Sequence, residues 1–143
     1  MEPQIEILLE DKDLVLHPGQ VLRGGWRLNA AYAVPVKKAE VFVMWSTEGK
    51  GDADSGAAYH KVAVEDVELD AGRAFPFETT LPQAPWSYSG KLIKINWYVR
   101  VYVIPREGKP FAAEERFKLL PQGRPGGDTE SHEQVFGQTP GSA

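Results

Sequence analysis

Hydrophobic and polar residues alternate along residues 91–104. Odd-numbered positions carry large apolar side chains, whereas even-numbered positions carry polar or partly polar ones. The apolar set is Ile93, Ile95, Trp97, Val99, Val101 and Val103, and the alternate set is Lys94, Asn96, Tyr98, Arg100 and Tyr102. A period of two residues over this length predicts a strand with one buried face. The β-branched and aromatic side chains of the apolar set also favour a pleated sheet.

Shorter stretches with the same period occur along the rest of the chain. They cover residues 5–9, 14–16, 22–28, 41–45, 59–69, 75–81 and 111–119. Residues 41–45 are apolar on both faces, which predicts a central strand. About eight strands at roughly ten-residue spacing predict an all-β fold, an antiparallel immunoglobulin-like β-sandwich. Trp26, Trp45 and Trp97 lie on apolar positions and are predicted to be in its core.

Several local features refine this prediction. Residues 70–72, with the sequence Asp-Ala-Gly, predict a tight hairpin turn. The apolar positions change parity near Glu65 and Asp66, which predicts a β-bulge there. A second bulge at residues 112–113 is expected to turn Glu115 outward, because its parity otherwise points a carboxylate into the core. Residues 47–58 are predicted to form a long polar loop.

The composition changes after Leu120. Residues 121–143 contain five glycines and three prolines, and only Val135 and Phe136 are strongly apolar. Such a segment buries too little apolar area to offset its chain entropy. The sequence therefore predicts one β-sandwich domain over residues 1–120 and a disordered tail over residues 121–143. Val135 and Phe136 could instead add as a strand to a sheet edge.

Composition and charge exclude several classes of function. The chain has 143 residues, of which 42% are hydrophobic and 25% charged, as in a globular protein. Its formal net charge of -4 provides no basic field for phosphates, so nucleic acid is not expected as a partner. The lack of cysteine excludes a disulfide framework and a thiolate metal site. With neither a signal peptide nor a membrane-spanning apolar run, the chain is expected to be cytoplasmic.

The order of motifs along residues 4–120 resembles the N-terminal domain of the arrestin fold. The motifs are Leu16-His17-Pro18-Gly19 through Gly24-Gly25, the strand at residues 39–45, Pro76-Phe77 with Leu81-Pro82 and Pro85, and Ser87-Tyr88-Ser89-Gly90 before the long strand. Arrestins, the related retromer subunit and bacterial sporulation-control proteins carry two such sandwiches, whereas the present length suffices for one. The stretch from Trp45 to Asp54 looks more like small bacterial proteins of this fold. The resemblance therefore implies a single-sandwich, bacterial-type arrestin-like protein that binds partners.

No catalytic constellation is recognisable. A Ser-His-Asp set needs a histidine held by an acid and in contact with a hydroxyl. His17 adjoins a turn, His60 begins a predicted strand, and His132 lies in the predicted tail. There is no Gly-x-Ser-x-Gly nucleophile motif and no metal-binding histidine spacing. The chain is therefore not expected to be an enzyme.

The predicted loop at residues 47–58 has the most chemically suggestive composition. Glu48, Asp52 and Asp54 could supply oxygen ligands to Ca²⁺, and Lys50 lies between two glycines. The ligand rhythm of an EF-hand is missing, however, and no helix follows to bind a phosphate. We therefore expect no metal and no cofactor, and we interpret the loop as a polar contact surface. A metal-assisted hydrolase using this loop is the weakest functional hypothesis.

Aromatic and cationic residues form the other candidate sites. Trp86 and Tyr88 lie in a connection between strands, while Tyr98, Arg100 and Tyr102 share the more polar face of the long strand. Such a strip can hold an acidic peptide or stack on a sugar. The alternative is that these side chains merely cover the second face of the sheet.

Together these observations favour a non-catalytic protein-interaction or adaptor module. The contact residues are expected among Glu48, Lys50, Asp52, Asp54, Trp86, Tyr88, Tyr98, Arg100 and Tyr102. The alternative is a small-ligand or carbohydrate-binding module that uses Trp86, Tyr88 and their neighbours.

Overall fold

A computed structural model describes residues 2–51 and 53–121. Its strands are β1 (Gln4–Leu9), β2 (Val15–Leu16), β3 (Val21–Asn29), β4 (Val34–Gly49), β5 (Ser55–Leu69), β6 (Phe75–Thr80), β7 (Tyr88–Ser89), β8 (Ile93–Pro105) and β9 (Phe111–Leu119). The part of the chain that the structure describes contains no helix. The predicted tail lies outside it, apart from Pro121, as does the candidate residue Asp52.

The strands form two sheets around one core. The smaller sheet has the order β1-β3-β6, and the larger has the order β2-β9-β8-β4-β5, with β7 also paired to β8. This arrangement confirms the predicted β-sandwich, with β4 central in the larger sheet as its two apolar faces require. All the pairings are antiparallel except that of β2 with β9, which is parallel over two residues.

Strand β8 confirms the alternation that its sequence predicts. Trp97, Val99, Val101 and Val103 are fully buried, and Ile95 is nearly so. Strand β8 pairs with β4 along one edge and with β9 and β7 along the other. The indole N–H of Trp97 donates to the backbone carbonyl of Pro85 at 2.7 Å, so burial of this ring leaves no orphaned donor. Trp26 is also buried, whereas Trp45 is only half-buried, at the edge of the core.

The chain passes from one sheet to the other between β1 and β2. Leu14 makes this change of direction at a φ of +59°, a conformation that costs a non-glycine residue energy. Its carbonyl accepts from the Lys118 amide at 2.8 Å, which joins β2 to the end of β9. The side chain of Leu14 packs against the core, so burial offsets the backbone strain.

The predicted loop at residues 47–58 is wrong in extent. Strand β4 continues to Gly49 and β5 begins at Ser55, so only a short hairpin connection remains. Pairing of β4 with β8 and β5 explains the extension, since Thr47 lies opposite Ile95 and Ser46 lies opposite Ser55. A glycine- and alanine-rich segment can pair in a sheet when its neighbours supply the packing.

Strand β5 is irregular near the predicted position. Its register against β4 shifts between Val64 and Val62 and again between Tyr59 and Ala57, not at Glu65 itself. At the predicted position the backbone departs from strand geometry without a shift in register, since Asp66 has a φ of +50°. Because β5 is an edge strand, these distortions make its free edge a poor template for another strand.

Two other local predictions are wrong because topology overrides them. Residues 70–72 form a turn, but it leads from β5 in the larger sheet to β6 in the smaller one, so it closes no hairpin. The β8–β9 register runs without a shift, which keeps Glu115 opposite Val99 and half-buried. Strand β2 pairs with β9 only at Lys118 and Leu119, so Glu115 lies where the edge of β9 has no paired strand, and an inward-facing charge is tolerated there and opposes unwanted strand pairing.

Gly24 allows the smaller sheet to pack closely. A Cβ atom at this position would lie 2.6 Å from the Leu8 carbonyl oxygen and 3.0 Å from the ring of Phe77. At the neighbouring Gly25, the nearest atom to such a Cβ would be the Phe75 carbonyl oxygen at 3.3 Å. The two glycines therefore differ sharply in the space available for a side chain.

We expect Gly24→Ala to destabilise the domain by about 2 kcal/mol, since backbone and ring must both move to make room. Gly25→Ala, the matched control on the same strand, should cost less than about 1 kcal/mol. Chemical denaturation followed by tryptophan fluorescence measures both changes. Equal destabilisation by the two substitutions would contradict the packing described for Gly24.

Candidate functional site

The outward-facing side chains of the larger sheet form a continuous aromatic surface. Tyr98 lies opposite Met44, and Arg100 lies opposite Phe42, in the register of β8 against β4. Tyr102 follows on the same face, because alternate residues of a strand point the same way. We call these residues, Phe42, Met44, Tyr98, Arg100 and Tyr102, the outer aromatic face.

The outer aromatic face is partly exposed. All five side chains are half-buried, and the smaller sheet lies on the opposite side of the larger one, across the core. Among residues 2–51 and 53–121, no strand covers this surface. The structure thus brings together the predicted Tyr98, Arg100 and Tyr102. It adds Phe42 and Met44, whose signal in the sequence was the apolar character of β4 on both faces.

Arg100 links the aromatic surface to a charged margin. Its guanidinium carbon lies 5.8 Å from the centre of the Tyr102 ring, within the range of a cation–π contact. Its Nη1 donates to the Glu114 Oε2 at 2.8 Å. The arginine is therefore held in place over the sheet by two neighbours.

A second charged cluster borders Phe42. The Glu40 carboxylate lies 2.9 Å from the Lys38 ammonium and 3.6 Å from His60 Nε2, and the His60 ring stacks on Phe42 at 4.6 Å. The hydrogen bond from Lys38 holds the pKa of Glu40 below its ordinary value of 4.5, against the opposing effect of desolvation. These contacts connect Lys38, Glu40 and His60 to the same face of the sheet as Phe42.

At one end the outer aromatic face adjoins a groove that the sequence did not predict. The groove has a volume of about 450 Å³ and is lined by residues 13–15, 87–89, 95–97 and 116–118 and by Leu120. We call it the terminal groove. The two-residue strands β2 and β7 contribute to its walls, next to the first residues of β8 and the last residues of β9. Strands this short have no detectable periodicity, so sequence patterns could not reveal the groove.

Tyr88 lies in the terminal groove, whereas Trp86 does not line it. The Tyr88 ring packs close to Gly90, where a Cβ would lie 2.6 Å from its hydroxyl oxygen. The indole N–H of Trp86 donates to the Gln83 carbonyl at 3.0 Å within its own loop. The carbohydrate-binding hypothesis, which relied on these two rings, stays a prediction.

The remaining candidates lie at the β4–β5 hairpin. Glu48 Oε1 accepts from the Asn96 side chain at 3.2 Å, and Asp54 Oδ1 accepts from the Ser55 amide at 2.8 Å. The Lys50 amide donates to the Leu92 carbonyl at 3.0 Å, which ties the hairpin to the turn before β8. Within the described ranges, no three histidine, aspartate or glutamate side chains form a group that could hold a metal ion.

The histidines of the described part have structural partners. His17 Nδ1 lies 2.8 Å from the Leu120 carbonyl, and His60 stacks on Phe42. The Glu40 carboxylate lies 3.6 Å from His60 Nε2, but among the described residues no hydrogen bond joins either histidine to a serine hydroxyl, as a Ser-His-Asp set requires. His132 lies outside the described residues.

Comparison with known proteins identifies the fold. A crystal structure of Spo0M, a sporulation control protein from Bacillus subtilis, superimposes with a TM-score of 0.64 at 15% sequence identity. The fold is arrestin-like. The match covers 82% of the present chain and 49% of Spo0M, so this chain spans about half the length of that protein. No protein-family model and no curated protein sequence matches the chain.

The described residues contain no helix of the length and apolar character needed to cross a membrane.

Protonation of Glu40 should lower the stability of the domain in acid. Its depressed pKa means that its contribution is fully present above about pH 4.5 and is lost as the pH falls through the lower, folded-state pKa. Glu40→Gln should therefore unfold more readily than the wild type at pH 7, and this difference should shrink towards pH 3. Urea denaturation at a series of pH values measures it.

Glu114→Gln is the control for this experiment, since it removes a more exposed ion-paired carboxylate from the same sheet face. It should change the acid dependence of stability less than Glu40→Gln does. An unchanged acid dependence in Glu40→Gln would show that the cluster with Lys38 contributes nothing to folding.

Proposed function

We propose that this chain is a non-catalytic protein-interaction module that binds its partner through the outer aromatic face. One observation carries the proposal: the centre of the larger sheet presents half-exposed tyrosine, phenylalanine and methionine side chains that no described layer covers. The cytoplasmic location expected from the sequence stays part of this proposal.

The chemistry of this surface suits protein recognition. Tyrosine, phenylalanine, methionine and arginine are enriched at the centres of protein interfaces. Tyr98 and Tyr102 combine large apolar rings with a polar hydroxyl, and they lose little side-chain entropy when a partner covers them. The ion pair between Arg100 and Glu114 lies beside the rings, where charged groups contribute to specificity more than to affinity.

The arrangement of the sheet also favours a rigid docking surface. The outer aromatic face is built on β4 and β8, whose opposite faces are anchored by buried residues such as Val43 and Val99. A partner that binds here therefore meets side chains already positioned by the core, which lowers the ordering cost of association. The likeness to Spo0M supports the fold alone, so the partner is to be found by experiment.

Photo-crosslinking tests the proposal at single positions. Tyr98 or Tyr102 is replaced by p-benzoylphenylalanine, and the protein is irradiated in lysate of its source organism. We expect the same discrete protein to be attached from both positions and identified by mass spectrometry.

The control places the same photoreactive residue at Leu8, which is 54% exposed on the smaller sheet. This position should yield no such adduct. Failure of both tyrosine positions to crosslink, or an equal yield from Leu8, would contradict binding through the outer aromatic face.

A further inference from the structure

We propose that the partner inserts an acidic peptide segment with an apolar side chain into the terminal groove. This inference rests on the proposed function, because the groove continues the outer aromatic face. It adds the place where the segment binds and its combination of acidic and apolar residues, whereas the sequence suggested only that the aromatic strip could hold an acidic peptide.

The groove and the aromatic surface share one wall. Arg116 lines the groove and lies opposite Tyr98 in the register of β9 against β8. Asn96, also in the lining, is two residues before Tyr98 on the same face of β8. A chain lying across the tyrosines would therefore reach the groove without crossing any other element.

The lining combines an apolar interior with cations at its margin. Leu14, Val15, Tyr88 and Leu120 supply half-buried apolar surface, in a volume suited to one or two large side chains. Such a groove gains affinity from an inserted aliphatic or aromatic residue, because apolar area is removed from water.

The charge of the lining favours an acidic ligand. Arg116 and Lys118 are exposed, and neither forms an ion pair with any residue of ranges 2–51 and 53–121. Of the described residues that line the groove, Asp13 is the one carboxylate. The lining of the groove, with two cations and one carboxylate, is thus locally positive on a chain whose net charge is -4.

The position of Arg116 and Lys118 beside the apolar lining favours a ligand that carries carboxylates. Arg116 and Lys118 have no ion pair among the described residues, and each can form a charge-assisted hydrogen bond with an acid bound beside the apolar lining. A neutral apolar segment would offer these cations no carboxylate, and an acidic segment without an apolar residue would leave the groove unfilled. A short segment with an apolar residue and acidic residues can fill the groove and also bind both cations.

Fluorescence anisotropy with labelled synthetic peptides tests the inference. The probe contains the core Leu-Phe-Glu-Asp-Glu between glycine and serine linkers. Comparison peptides replace this core with the neutral Leu-Phe-Gln-Asn-Gln, the non-apolar Gly-Ser-Glu-Asp-Glu or the basic Leu-Phe-Lys-Arg-Lys. We expect the probe to bind about tenfold more tightly than each comparison peptide, and its affinity to fall with added salt.

Matched double variants connect this preference to the groove. Arg116→Ser with Lys118→Ser should reduce the preference for the probe over the neutral peptide to about twofold or less. Arg106→Ser with Lys109→Ser removes the same two residue types from the exposed β8–β9 turn and should leave the preference unchanged. Circular dichroism and melting temperature verify that both double variants are folded.

The outcomes separate this inference from the proposed function. Absence of probe binding, equal binding of the neutral peptide, or an unchanged preference in the Arg116 and Lys118 variant would each overturn the groove assignment. Crosslinking from Tyr98 and Tyr102 could still succeed in those cases, and the proposed function would stand. Probe binding at the groove with no crosslinked protein would instead contradict the proposed function.

Discussion

Burial of one side of β8 is the constraint on which the rest of this structure depends. Trp97, at its centre, is fully buried, and its one polar group donates to the Pro85 carbonyl. A tryptophan of this kind removes about 150–250 Å² of mostly apolar surface from water. Because strand residues alternate, fixing Trp97 inward also fixes Tyr98 outward, and a slip of one residue would exchange the two faces. The core therefore determines which side chains are available for binding.

The same strand sets the limits of the proposed binding surface. Its middle pairs with β4 and β9, which widens the outer aromatic face, while its first residues pair with the short strand β7. Where β9 ends, β2 joins it in parallel through the change of direction at Leu14. The terminal groove thus follows from the way the sheet is completed by two short segments, and it brings Arg116 and Lys118 beside apolar residues distant in sequence.

Much of the fold could be predicted because a long strand shows its two-residue periodicity in the sequence. The alternation in β8 and the two apolar faces of β4 predict a buried long strand and a central neighbour, and the structure confirms both. Local turn chemistry was less informative. The Asp-Ala-Gly turn has a left-handed Gly72, as a tight turn requires, but that geometry does not specify which sheet the next strand joins. The sequence also did not indicate that β4 and β5 extend into residues 47–58, since pairing with neighbouring strands, rather than β-propensity, keeps these ends extended.

The candidate surface was predictable in part for the same reason. Tyr98, Arg100 and Tyr102 belong to one periodic strand, so their common face follows from the sequence. Phe42 required knowledge of the β4–β8 register, and the groove required contacts between segments about one hundred residues apart, such as Leu14 with Lys118. Sequence periodicity contains neither kind of information.

Hydroxyl-radical footprinting with mass spectrometry tests the division of β8 into a core side and a binding side most directly. In the folded protein, Tyr98 and Tyr102 should be oxidised while Trp97 and Trp26 are protected, and addition of the crosslinked partner in purified form should protect the two tyrosines. Oxidation of Trp97 as rapid as that of Tyr98, or tyrosine oxidation unaffected by the partner, would contradict the account.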